Sequence, residues 1–116
     1  MSVKNSVIIV GGGIMGVQTA YHLALLGHTF TLLDQRDVPN QWAASGDHLR
    51  VFRLTYGKDS FYTEMALKAL PMWLELNTLT EETLLLQNGM IELAPKADGY
   101  ESSSLAVLKE RGVRFE

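Results

Sequence analysis

The 116-residue sequence contains no cysteine. That excludes a disulfide scaffold, a thiolate metal site and a cysteine nucleophile within this chain. It also fits a reducing cytoplasm, the expected location. There is no basic excess: 10 Lys and Arg stand against 13 Asp and Glu, a formal net charge of −3. Nucleic-acid binding needs a basic patch or stripe, so nucleic acid is not expected as a partner. Long apolar runs are missing too. The early stretch from Val7 to Val17 is broken by Gly11, Gly12 and Gly13, whereas a membrane span needs about 20 predominantly apolar residues. Lys4 supplies a single charge ahead of it and no A-x-A site follows, so neither a membrane nor a secretory signal is expected. His22, His28 and His48 lack the H-x-x-x-H spacing of a metal site.

What is present describes a globular domain. The sequence is 47% hydrophobic and 20% charged, which is outside the range of disordered chains. Its length suits one domain, with a core that buries roughly two-thirds of the unfolded surface.

The chain opens as strand, glycine turn, helix, strand. Ser6–Val10 (SVIIV) is a β-branched run of the kind found in strands buried on both faces of a parallel sheet. A helix is predicted over Ile14–Leu26, where Val17, Ala20, Tyr21, Ala24 and Leu25 recur at spacings of three and four, with Gln18 and His22 as a polar stripe. Gly27 is placed to end it as a left-handed cap. Thr29–Leu33 (TFTLL) is a second strand, closed by Asp34. This is a βαβ unit with a right-handed crossover.

Beyond Asp34 the pattern is less regular. Residues 35–49 lack periodicity and read as a long loop, of the length that is functional or mobile. Arg50–Tyr56 reads as a short strand or an extended segment, and Phe61–Leu76 as a helix that Pro71 ends or kinks. Glu81 and Glu82 read as a solvated helix start. Leu84–Gln87 and Met90–Leu93 flank Asn88-Gly89, the signature of a two-residue β-hairpin. Glu101–Arg111 is a last helix, stopped by Gly112, and Val113–Glu116 resembles the start of a further strand. The expectation is therefore an N-terminal part of something larger, with a complete small α/β domain as the alternative.

Gly11, Gly13 and Gly16 spell G-x-G-x-x-G between the first strand and the helix. Gly11 permits the tight turn, Gly13 lets backbone approach a pyrophosphate, and Gly16 lets helix pack close on sheet. The N–H groups at the helix start face the phosphates, and the helix dipole favours their charge. Asp34 lies 18 residues after Gly16, near the expected spacing of about 20. Its carboxylate suits a ribose hydroxyl and repels a 2′-phosphate. The fingerprint alone does not choose FAD over NAD, since both carry an ADP half. Arg50 and Arg53 are three residues apart, which in an extended segment turns them to opposite faces. A guanidinium fork matches a carboxylate bidentately. Trp42 is the one aromatic of the loop, open to a role over nucleotide or flavin or against a further domain.

Two stretches carry a family resemblance: VIIVGGGIMGVQTAYHLALLGHTFTLLD at 7–34 and SGDHLRVFRLTYG at 45–57. The chain resembles the start of the D-amino-acid-oxidase-like FAD oxidoreductases, most closely the monomeric sarcosine oxidase group, which includes N-methyl-amino-acid and pipecolate oxidases. The resemblance implies an α/β fold, with residues 1–116 forming the N-terminal, incomplete part of a Rossmann-like FAD-binding domain and the substrate domain absent. It implies FAD as cofactor, with Gly11, Gly13, Ile14, Met15 and Gly16 around the pyrophosphate. Asp34 would hold the adenosine ribose with Gln35 beside it, and Ser45 and Arg50 would lie near the flavin end. Arg53 matches the position that grips the substrate carboxylate, which makes Arg53 and Arg50 the catalytic candidates. The implied reaction oxidises a C–N bond of an amine or N-methyl amino acid and passes the electrons to O₂, giving H₂O₂. The group's histidines before the Arg-x-x-Arg motif are replaced here by Ser45 and Gly46, with His48 out of register. The cysteine that binds flavin covalently in this group lies downstream of the matched region, so activity is not expected of these residues alone. The alternatives are an NAD-dependent dehydrogenase domain and a non-catalytic ADP-type nucleotide-binding remnant.

Overall fold

A computed structural model of the chain describes residues 4–46, 48–96 and 98–115. They divide into two compact units, Met1–Arg50 and Val51–Glu116.

The first unit is the βαβ motif. Strand β1 (Ser6–Val10) and strand β2 (Thr29–Leu33) pair in parallel, from Ser6 opposite Thr29 to Val10 opposite Leu33. Helix α1 (Ile14–Leu25) makes the crossover. The ladder continues into the glycine turn, where the Gly11 N–H donates to the Leu33 carbonyl over 2.7 Å. Gly11 sits at φ +103°, a backbone conformation closed to side chains. At its far end α1 stops as expected, with Gly27 at φ +75° and the His28 N–H returning to the Leu23 carbonyl over 2.9 Å.

Two expectations for this unit are corrected. Ile9 is buried, but Ile8 and Val10 are 69% and 84% exposed. The strand is therefore covered on one face within this unit rather than on both. Nor does α1 bury Val17, Tyr21, Ala24 and Leu25, all of which are exposed. Its covered face is Gly16, Ala20 and Leu23, with Gln18 and His22 half-buried beside it. Close packing sets this rotation. A Cβ on Gly16 would overlap the Gly11 carbonyl oxygen and stand 3.4 Å from Ile9 Cγ2. Where the helix touches the turn this closely, the apolar stripe does not choose the face.

The second unit contains helix α2 (Ser60–Thr80) and helix α3 (Tyr100–Glu110). Its core is small and partly polar. Thr63 and Ser104 are almost fully buried, beside Ala66, Val107 and Leu108. Each buried hydroxyl has a partner: Thr63 Oγ1 donates to the Leu54 carbonyl over 3.0 Å, and Ser104 Oγ accepts the Gly57 N–H over 2.9 Å. The Tyr100 hydroxyl donates to the Thr55 carbonyl over 2.6 Å, and Thr55 Oγ1 to Glu92 Oε1 over 2.5 Å. Gly57 needs its lack of side chain, because at φ +61° a Cβ would press on the Tyr100 ring at 2.9 Å. Arg111 and Glu64 pair at 2.5 Å across the two helices. Both are partly exposed, so the pair contributes little.

Here too several expectations change. Helix α2 continues through Pro71 to Thr80 and ends on Glu81 in the left-handed region at φ 57°, so Glu81 closes a helix rather than opening one. The turn after Pro71 keeps its half-buried Trp73, Leu76 and Asn77, which offsets the one missing N–H. The predicted hairpin does not form among the described residues, although Gly89 takes the turn conformation at φ +78°. The backbone has other partners. Asn77 Oδ1 accepts the N–H groups of Leu84 and Leu85, each over 2.9 Å, and Asn77 Nδ2 donates to the Leu85 carbonyl over 2.8 Å. Arg50–Tyr56 forms no ladder and bends at Leu54. Residues 113–115 form no strand; the Val113 N–H turns back to the Leu108 carbonyl beside the left-handed Gly112.

Three stability tests follow from this packing. Gly16→Ala should lower the unfolding free energy by about 3 kcal/mol, because backbone must move to admit the methyl. Gly13→Ala should lower it by no more than about 1 kcal/mol, the cost of alanine in place of glycine at a helix N-cap. Its added Cβ meets Ser45 Oγ at 3.7 Å and Ala43 Cβ at 3.9 Å, ordinary contacts. Urea titration of both variants distinguishes the two roles. Ser104→Ala should cost about 1–3 kcal/mol in the same assay, since it leaves the buried Gly57 N–H without its acceptor.

Candidate nucleotide site

The glycine turn, the start of α1, Asp34 and the loop to Arg50 come together within the first unit. Helix α1 starts at an extended Gly13 (φ −74°, ψ −176°) with no side-chain cap of its own. The N–H groups of a first helical turn have no acceptor inside the helix. One of them, on Ile14, donates to Ser45 Oγ over 3.2 Å. Ser45 thus reaches the helix start from 31 residues along the chain.

Asp34 is the other pole of the site. Its Oδ2 accepts the Gly12 N–H over 2.6 Å, and its Oδ1 accepts the Arg36 N–H over 2.9 Å and Asn40 Nδ2 over 3.4 Å. Hydrogen bonds hold the carboxyl below the usual carboxylate range, that of the Gly12 N–H most strongly and then that of the Arg36 N–H; desolvation opposes them, and Asn40 and the Gln35 N–H add smaller downward effects. A carboxylate has about four lone-pair sites. Of the hydrogen bonds measured, Oδ2 accepts that of the Gly12 N–H while Oδ1 takes those of Arg36 and Asn40, so Oδ2 is the oxygen open to a further hydroxyl. Gly12 itself is closed on its other side, since a Cβ there would overlap Val38 Cγ2 and stand 3.3 Å from Asp34 Oδ2.

Gly13 is different. Neither its dihedral angles nor its surroundings require glycine, because a Cβ would meet only ordinary contacts. The fold leaves space there that a side chain would fill, over an electropositive helix start. Those features fit a dinucleotide pyrophosphate, with the Asp34 carboxylate fitting its ribose.

The two arginines meet different partners. Arg50 Nε donates to the Ala44 carbonyl over 3.1 Å, its Nη2 reaches the same oxygen, and its Nη1 donates to the Leu49 carbonyl over 3.0 Å. Its side chain clips the loop to itself. Arg53 belongs to the second unit, where its guanidinium carbon lies 5.0 Å from the Tyr56 ring centroid. Tyr56 in turn packs on Tyr62, with centroids 5.6 Å apart. Met15 and Gln35 are exposed.

Sequence reasoning passed over Gly12 and Asn40. Both Asp34 and Asn40 accept the N–H two residues on, at Arg36 and Trp42. That is the Asx-turn habit of Asp and Asn in loops, and D-x-R with N-x-W was the available signal. Among the described residues, no helix is long and apolar enough to cross a membrane.

A family model described as FAD dependent oxidoreductase, DAO, matches residues 6–116. The chain belongs to the DAO family of FAD-dependent oxidoreductases. FAD is the cofactor of this family. Among curated proteins, the chain is 34% identical over 96 residues to a monomeric sarcosine oxidase of Bacillus sp. (strain NS-129), covering 83% of this chain and 25% of that protein. A second monomeric sarcosine oxidase, from Bacillus sp. (strain B-0618), is 29% identical and matches 100% of this chain and 30% of its own length. An N-methyl-L-tryptophan oxidase of Salmonella newport (strain SL254) is 29% identical over 97 residues, 84% of this chain and 26% of that protein. The chain thus spans between 25% and 30% of the length of these relatives.

The lowered Asp34 pKa makes stability depend on pH on the acid side. Because the folded state binds this proton less readily than the unfolded one, the stabilisation is fully present above the ordinary aspartate pKa of about 3.9. It is lost as pH falls through the lower folded-state value. In urea titrations across that range, the wild-type chain should lose stability on acidification more steeply than Asp34→Asn.

Proposed function

We propose that residues 1–116 form the FAD-binding N-terminal part of a Rossmann-like domain, in a flavin-dependent oxidase that acts on the C–N bond of an amine or N-methyl amino acid. The observation that carries the FAD-binding role is a glycine at position 13 that neither its dihedral angles nor its packing requires, beside a helix start and the Asp34 carboxylate. The names of the relatives, sarcosine oxidase and N-methyl-L-tryptophan oxidase, support the substrate class.

In this reading Gly11 makes the turn, and Gly13, Ile14, Met15 and Gly16 lie along the pyrophosphate with their backbone N–H groups toward it. Asp34 accepts a ribose hydroxyl on Oδ2, with Gln35 beside it, and its charge repels a 2′-phosphate. Ser45 yields the Ile14 N–H to the ligand or stays on it as a neutral cap. Arg50 stiffens the loop that leads to the flavin end. Arg53 receives the substrate carboxylate in its planar fork, while Tyr56 holds the guanidinium from one face. When bound, FAD supplies the acceptor for two electrons from the C–N bond, which pass on to O₂ as H₂O₂ and leave an imine for hydrolysis. The proposed location is the cytoplasm.

Titration of the chain with FAD, followed by quenching of flavin fluorescence, tests the FAD-binding reading. Saturable binding of FAD but not of NADH is expected. Gly13→Val should weaken FAD binding at least about tenfold, a change of 1.4 kcal/mol, with its circular dichroism unchanged. Unaltered FAD affinity in a folded Gly13→Val chain would overturn the reading, and NADH binding in its place would favour a dehydrogenase domain.

A further inference from the structure

Trp42 is poorly accounted for by the fold. It sits in a polar loop and is 72% exposed, although an indole has a large apolar area that favours burial. Yet it is held in place. Asn40 Oδ1 accepts the Trp42 N–H over 2.9 Å, and Asn40 Nδ2 donates to Asp34 Oδ1 over 3.4 Å. The guanidinium carbon of Arg36 lies 5.1 Å from the Trp42 ring centroid, and the Arg36 N–H donates to the same Asp34 oxygen over 2.9 Å. Ring and guanidinium therefore hang from one carboxylate by two separate short connections.

We infer that Arg36 and Trp42 form a preformed stacking platform for the adenine ring of the nucleotide whose ribose Asp34 holds. The inference rests on the FAD reading above and adds a recognition element to it. In an ADP-type ligand the base is bonded directly to the ribose. A flat surface tied to the ribose-binding carboxylate is therefore within reach of the base. Purines stack on indole faces and on guanidinium planes without any edge being read. Because Arg36 already lies against the indole, the ring loses less freedom on binding than an isolated exposed side chain would. Neither residue belongs to the glycine fingerprint, so the platform is particular to this loop rather than to the βαβ unit.

The test uses the 116-residue chain carrying Trp73→Phe, which leaves Trp42 as the only tryptophan. ADP should quench Trp42 emission saturably, with the midpoint of binding measured by calorimetry, and FMN, which lacks adenine, should not. Trp42→Ala should weaken ADP binding roughly ten- to a hundredfold, the range for loss of one base–aromatic stack, and Trp42→Phe should restore most of it. If ADP binds while Trp42 emission stays constant, the platform is refuted and the nucleotide reading survives. Undiminished ADP affinity in Trp42→Ala, or quenching by FMN alone, refutes it in the same way. A folded chain to which calorimetry shows no ADP or FAD binding overturns both. Should Trp42→Ala fail to fold, the emission of the unaltered indole still decides.

Discussion

The hydrogen bond from the Gly12 N–H to the Asp34 carboxylate joins the two ends of the first unit. One partner is in the turn that follows the first strand, and the other is the residue that closes the second. The bond is short, at 2.6 Å, and its acceptor is ionised, which makes it stronger than a neutral backbone bond. Everything that forms the candidate site hangs from it. The turn is held against the strand end, the loop begins from the same carboxylate through Arg36 and Asn40, and the loop then returns Ser45 to the helix start. A neutral residue at position 34 would lose the charge that orders all three donors.

The glycines of the turn divide by what they serve. Gly11 is required by its dihedral angle, and Gly12 and Gly16 by neighbours that leave no room for a Cβ. Those three are needed for the fold itself. Gly13 is required by neither. The fingerprint is thus partly a packing motif and partly a kept space, and only the kept space points to a ligand.

The second unit solves a different problem. With few large side chains fully buried, it ties its loops to its helices by hydroxyls: Ser104 to Gly57, Tyr100 to Thr55, Thr63 to Leu54. All three anchors fall on the segment 54–57 that follows Arg53, and they fix the backbone on which Tyr56 and its stacked guanidinium stand. A polar core of this kind is intolerant of single losses, since each unpaired buried group costs more than the bond itself is worth.

Both strands, the first helix, the left-handed cap at Gly27 and the helix stop at Gly112 were legible in the residues alone. Each depends on a pattern within one segment: β-branching, a helical period, or a glycine where a side chain cannot go. The contacts that decided the rest are distant in sequence. Gly57 meets Ser104 from 47 residues away, and Ile14 meets Ser45 from 31. Asn77 binds the Leu84 and Leu85 amides where the first strand of the Asn88-Gly89 hairpin was expected, and Gly16 turned the helix to a face its apolar stripe did not indicate. Local propensity names the elements because it acts through neighbouring dihedral angles and side chains. Which partner each backbone group finds is settled only when remote segments compete for it, and that competition exists only in the folded chain.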